Sequence, residues 1–175
     1  MKIFLISIIA IVLLGCGSSS NKNDLKSDNA YSQYVKEYRK TEIDSIILHH
    51  DYTIIFAWTE WCVASHYEFK DHLKPFLESK SDNIGVISIC CGDADIVANL
   101  LRENDCKYPT YLLSGSWSGL DKWRLNRFFH SLFDSYKSIN YVPVVILCNP
   151  QKAILNWNNV RNDYNGIAQS IVQIN

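Results

Sequence analysis

One stretch limits what this chain can fold into more than any other: Thr53-Ile-Ile-Phe-Ala-Trp-Thr-Glu-Trp-Cys-Val-Ala-Ser65, an apolar run that ends in a lone cysteine just before a helical pattern. Residues 53–58 carry no charge and are dominated by β-branched and aromatic side chains, which suits a central strand buried on both faces. From Ser65 the pattern changes. His66, Tyr67, Phe69, Leu73, Phe76 and Leu77 recur at roughly i, i+3, i+4 and i+7, a helical stripe. Cys62 is therefore placed at a strand-to-helix junction, where unpaired first-turn N–H groups and the helix dipole favour a negative charge. A thiol there is expected to ionise more readily than in free solution and to act as a nucleophile.

A second parallel unit follows. Asn83-Ile-Gly-Val-Ile-Ser-Ile-Cys90-Cys91-Gly92 reads as another buried strand, and Asp93 to Glu103 as the helix it feeds, with Asp93 as N-cap. Strand, helix and strand in this order make a parallel βαβ unit, so both strands end on one edge of the sheet. Cys90 or Cys91 should then emerge on the edge that carries Cys62. Alternation points the two thiols to opposite faces, so at most one can face the site. One of them is a possible resolving cysteine; the other reading is two small buried hydrophobes.

Further along, Lys107-Tyr-Pro-Thr-Tyr-Leu-Leu113 is extended and 114–119 is a Ser/Gly loop. Leu120 to Tyr136 forms an amphipathic helix through Leu120, Trp123, Phe128, Leu132, Phe133 and Tyr136, either covering the active-site edge or simply packing on the sheet. Tyr141 to Cys148 and Ala153 to Trp157 are the last strands, joined by an Asn149-Pro-Gln-Lys turn, and Arg161 to Ile174 is a closing helix. Cys148, about 16 Å along the strand from Pro143, is out of reach of Cys62. Ahead of the first core strand, Tyr31 to Ile47 has near-helical spacing of Tyr34, Val35, Tyr38, Ile43, Ile46 and Ile47 and is expected to be a helix. His49 and His50, being adjacent, point in different directions and read as surface or edge histidines rather than ligands. His66 is a helix-surface residue or a partner of the thiol.

These residues carry a family resemblance. Trp58-Thr-Glu-Trp-Cys62 resembles the segment that opens the redox motif of thioredoxin-like proteins, and Tyr141-Val-Pro-Val-Val-Ile-Leu-Cys148 resembles their cis-proline loop and following strand. The resemblance covers roughly residues 46–175 and points to envelope, TlpA-like members. It implies a thioredoxin-like α/β fold: a central mixed β-sheet flanked by helices, with an extra helix before the cis-proline strand. It implies that Pro143 packs beside Cys62 and that Trp61, Ser65 and Val142 border the substrate. Two departures stand out. The family's C-x-x-C is here Cys62-Val-Ala-Ser65, so the usual resolving thiol is a hydroxyl, and the buried acid two residues before the first tryptophan is replaced by Phe56. A peroxidase reading finds its threonine three residues before the cysteine, Thr59, but not its preceding proline.

Met1-Lys2 followed by the apolar run Ile3 to Leu14 reads as a signal peptide over residues 1–15, too short to span a bilayer comfortably. Leu13-Leu14-Gly15-Cys16 resembles a bacterial lipobox, which implies a lipidated Cys16 as the new N-terminus; an ordinary signal peptide or an uncleaved anchor is the competing reading. Residues 16–30 then form the lipidated cysteine and a flexible polar tether, and 31–175 the thioredoxin-like domain. Gly17 after the cysteine points, by resemblance to other lipoproteins, to the outer membrane, facing the periplasm.

With Cys16 assigned to lipid, five of the six cysteines remain. That is an odd number in a compartment where disulfides persist, so at least one thiol is free or paired with another molecule. No C-x-x-C pair exists, so a zinc or iron–sulfur site lacks its spacing signal, and no metal or other cofactor is expected. A net charge of −1 gives no reason to expect nucleic acid. Two functions follow. One is single-thiol disulfide exchange through Cys62 on protein or small-thiol disulfides, with a disulfide-bearing protein or a low-molecular-weight thiol as partner. The other is a redox-inactive thioredoxin-fold binding module of the cell envelope, with Cys62 a relic.

Overall fold

The computed structural model describes residues 30–79, 82–113, 120–136 and 138–158. The expected signal peptide, Cys16 with its tether, the 114–119 loop and the closing helix over 161–174 lie outside these residues.

The uncharged run becomes β2 (Tyr52–Thr59) and the second one β3 (Ile84–Cys91); all eight residues of each are buried. They pair in parallel from Tyr52↔Ile84 to Thr59↔Cys91. β4 (Thr110–Leu113) runs parallel to β3 on its far side, and β1 (Val35–Glu37) parallel to β4. On the other side of β2, β5 (Val144–Cys148) and β6 (Ile154–Asn158) are added antiparallel, which completes a mixed sheet in the order β1-β4-β3-β2-β5-β6. A two-fold alternation sends successive strand residues to opposite faces, and each face has its own core. Ile55, Ala57, Ile87, Ile89, Val144 and Ile146 pack under helices α1 (Lys40–His49) and α5 (Asp121–Leu132). Ile54, Phe56, Trp58, Val86, Val145 and Leu147 pack under α4 (Ala94–Glu103) and the helical segment that follows Cys62. That segment is α2 (Val63–Glu68), a π-helical turn (Phe69–Leu73) and α3 (Lys74–Ser79). This is the fold class expected, with α5 as the additional helix ahead of the proline loop.

Local chemistry accounts for the element ends. The Asp93 carboxylate caps α4 by accepting from the N–H groups of Asp95 at 2.9 Å and Ile96 at 3.4 Å. The β5–β6 turn is closed by Asn149, whose side-chain oxygen accepts from Ala153 N–H at 2.9 Å, while Lys152 takes a φ of 60°. Trp58 is a core anchor: its indole N–H donates to Ser88 at 3.0 Å inside the sheet, and its ring packs on Phe56 and Phe69. Phe56, two residues before Trp58, is thus part of a buried aromatic cluster.

One expectation is corrected. Tyr31 to Ile47 is not one helix but a 3-10 turn (Ser32–Tyr34), the edge strand β1 and then α1. Three residues are too few for a two-fold pattern to declare itself. Tyr34, Val35 and Tyr38 imitate a helical spacing, while Arg39, extended at φ −133°, breaks it. Pairing with β4 decides the outcome, extended by Tyr38 N–H donating to the Leu112 carbonyl at 3.1 Å.

Candidate active site at Cys62

After its last residue the chain leaves β2 through Glu60 and Trp61. Cys62 takes an extended conformation (φ −87°, ψ 104°) as the N-cap of α2, which begins at Val63, two residues before the expected helix start. Its carbonyl accepts from the N–H groups of Ser65 at 2.9 Å and His66 at 3.3 Å, so the backbone does the capping and leaves the sulfur outside the helix. The thiol donates instead to the Val142 carbonyl at 3.6 Å, across a gap of 80 residues in sequence. The Val142–Pro143 peptide is cis; Val142 offers its carbonyl to the thiol, and Pro143 after it is buried. A cleft of about 320 Å³ opens here between Trp61 and Cys62 on one side and Ile139, Asn140, Tyr141 and Val142 on the other, with Lys122 at its rim. Of its lining residues, Trp61 and Tyr141 are exposed large hydrophobics.

The remaining candidates fall into two groups. Ser65 is fully buried one turn into α2, and among the described residues its hydroxyl has no hydrogen-bond partner. His66 turns away from the sulfur: its Nε2 lies 2.6 Å from the Glu60 carbonyl and its ring stands edge-on to Trp58. His49 and His50 each bond through Nδ1 to a carbonyl of α1, at 2.7 Å in both cases. Cys90 and Cys91 end β3 on the edge that carries Cys62 and point into opposite cores, and neither is exposed at all. Burial pushes the Cys90 thiol up, and pushes Cys91 up to about 12, Cys148 up to about 12 and Cys106 up to about 11. Cys62 alone of the five described cysteines reaches the surface; all five are free thiols.

Three contributors escaped the sequence reading. Glu60 accepts from Asp93 N–H at 2.5 Å and so ties the Cys62 loop to the β3–α4 loop. Gly92 makes room for it, since a Cβ there would lie 2.5 Å from the Glu60 carboxylate. Asp121, the first residue of α5, is only 4% exposed and accepts from Trp61 Nε1 at 2.8 Å. The acidic first turn of α5 was visible in the sequence; its contact with a tryptophan 60 residues earlier was not.

No family model and no curated protein matches the sequence. Solved structures do resemble the fold. A thioredoxin-related protein from Neisseria meningitidis serogroup B superposes with a TM-score of 0.52 at 12% identity, over 71% of this chain and 84% of that one. The thioredoxin domain of a thiol-disulfide oxidoreductase from Bacteroides vulgatus gives 0.51 at 17%, over 70% and 80%. A secreted disulfide oxidoreductase from Mycobacterium tuberculosis gives 0.50 at 10%, over 72% and 84%. At such identities the likeness establishes a thioredoxin-like fold, and the chemistry has to be argued from the residues.

Proposed function

We propose that the chain is a membrane-tethered thioredoxin-like protein that carries out single-thiol disulfide exchange through Cys62, on a protein disulfide or a low-molecular-weight disulfide. The observation that carries this reading is the placement of the one accessible thiol among the described residues, 3.6 Å from the Val142 carbonyl at the mouth of an open cleft. The Cys62 thiolate, its proton given to solvent, attacks one sulfur of the partner disulfide. That S–S bond breaks, a mixed disulfide with Cys62 forms, and the other sulfur leaves as a thiolate that takes up a proton. Trp61 and the Val142–Pro143 segment flank the attacked bond. An incoming thiolate then attacks the partner's sulfur in the mixed disulfide and releases Cys62, so the protein returns to its starting state and the partner exchanges one sulfur for another.

An external thiol fits the second step better than an internal one. Ser65 offers no sulfur, and Cys90 and Cys91 are sealed in the two cores with their ionisation suppressed. Ser65 and Phe56 also support the alternative of a redox-inactive binding module, and one experiment separates the two. Trapping in cells with the full chain should recover a mixed disulfide through Cys62, lost in Cys62→Ala; a chain whose thiol stays free in an oxidising envelope, yet still captures a partner, would be the binding module. Lipidation at Cys16 would hold the domain at the outer membrane, facing the periplasm, on the polar segment 17–29. Incorporation of labelled fatty acid that disappears in Cys16→Ala checks this.

A further inference from the structure

The indole of Trp61 is 54% exposed, but its single polar atom is not left to solvent: it donates to Oδ2 of Asp121 at 2.8 Å. That carboxylate is almost wholly buried, and its other oxygen accepts from Nη1 of Arg124 at 3.2 Å. Its main-chain carbonyl meets the Cys91 sulfur at 3.8 Å, which pins the first turn of α5 to the end of β3. A buried ion pair costs desolvation that an apolar pair would not, so its presence is not explained by stability. What it supplies is direction, because a charge-assisted bond fixes the plane and tilt of the ring it holds.

The ring in question is a wall of the Cys62 cleft. Lys122, next to Asp121, donates to Asn140 Oδ1 at 3.1 Å, and Asn140 belongs to the opposite wall. Two consecutive residues of α5 thus grip the two sides of the cleft, one through a buried charge and one through an exposed amine. We infer that Asp121 is a positioning residue of this site, and that the first turn of α5 sets the width of the cleft by holding Trp61 against Asp121 while Lys122 holds Asn140. The inference rests on the exchange reading for its consequence, a dependence of partner docking on Asp121, but not for the contact itself.

The test uses the full chain with 15N-labelled tryptophan, the Trp61 indole signal being assigned by its loss in Trp61→Phe, together with exchange kinetics against a fluorogenic disulfide peptide. Asp121→Asn keeps the shape and an acceptor but removes the charge. It should move the Trp61 indole N–H resonance and slow exchange about threefold, and Asp121→Ala should slow it about tenfold. In the Trp61→Phe background Asp121→Asn should add nothing, since the carboxylate acts only through that ring. An unmoved indole signal, or rate losses that simply multiply, overturns the inference. A wild-type chain that exchanges with no disulfide removes the proposed function instead, and the indole signal then decides the positioning on its own.

Discussion

The ends of β2 and β3 lie side by side in register, Trp58 beside Cys90 and Thr59 beside Cys91, and each leads to a cysteine. One sulfur is available for chemistry and the others are not. The difference comes from two residues of backbone. β3 stops on its cysteines, so the alternation of the strand drives one sulfur into each core, where burial suppresses the thiolate. β2 stops at Thr59, and Glu60 and Trp61 carry the chain over the sheet edge before Cys62 appears; the Cys62 N–H folds back onto the Thr59 carbonyl at 3.2 Å. Cysteine content therefore says little about reactivity, and the distance of the residue from the last paired strand position says a great deal.

The largest effect that could break this contrast is complete loss. Cys62→Ala should reduce both disulfide exchange and rapid alkylation to background, whereas Cys90→Ala and Cys91→Ala should keep both. Peptide mass mapping after a short pulse of alkylating reagent reads the result, and rapid labelling at position 90 or 91 would erase the distinction. Next in size is a gain. Ser65 is a buried hydroxyl without a partner among the described residues, so Ser65→Cys exchanges a costly polar group for a small apolar thiol at the fourth position of a C-x-x-C. The variant should acquire dithiol reductase activity towards insulin; no gain would mean that the loop does not hold the geometry of an exchange site.

The mildest effect concerns alkaline stability. The thiols of Cys91 and Cys148, up to about 12, and of Cys106, up to about 11, lie above the value of roughly 8.5 for an unfolded cysteine. The unfolded chain therefore loses these protons first. Their contribution to stability is complete below about pH 8.5 and is lost progressively as pH rises through the folded values. Buried tyrosines act in the same sense, with burial pushing Tyr108 up to about 12. Denaturant midpoints should be insensitive to these groups near neutrality and fall above about pH 9, and the fall should be shallower in Cys91→Ala. A midpoint that rose with pH in this range would contradict the sealed state of the β3 cysteines.

What was legible in the sequence follows the range of the forces involved. β2 and β3 announce themselves because eight-residue strands buried on both faces exclude charge from one end to the other. Asp93 and Asn149 are equally plain, since a cap and a turn are made within a few residues. β1 was hidden because its pairing partner lies 75 residues away and its own three residues carry no pattern. The site divides in the same manner. Cys62, Trp61, Val142 and Pro143 could be named from short motifs. The clamp formed by Asp121 and Lys122 could not, because an aspartate and a lysine at the start of an amphipathic helix look like any solvated first turn until the sheet brings Trp61 and Asn140 to either side.

None of the five described cysteines is joined to another. The architecture of the described residues is therefore held by sheet pairing and two apolar layers rather than by covalent staples, and a reductant leaves it standing. Among the described residues, the Cys62 sulfur is the one that a solute can reach with the sheet and both layers intact.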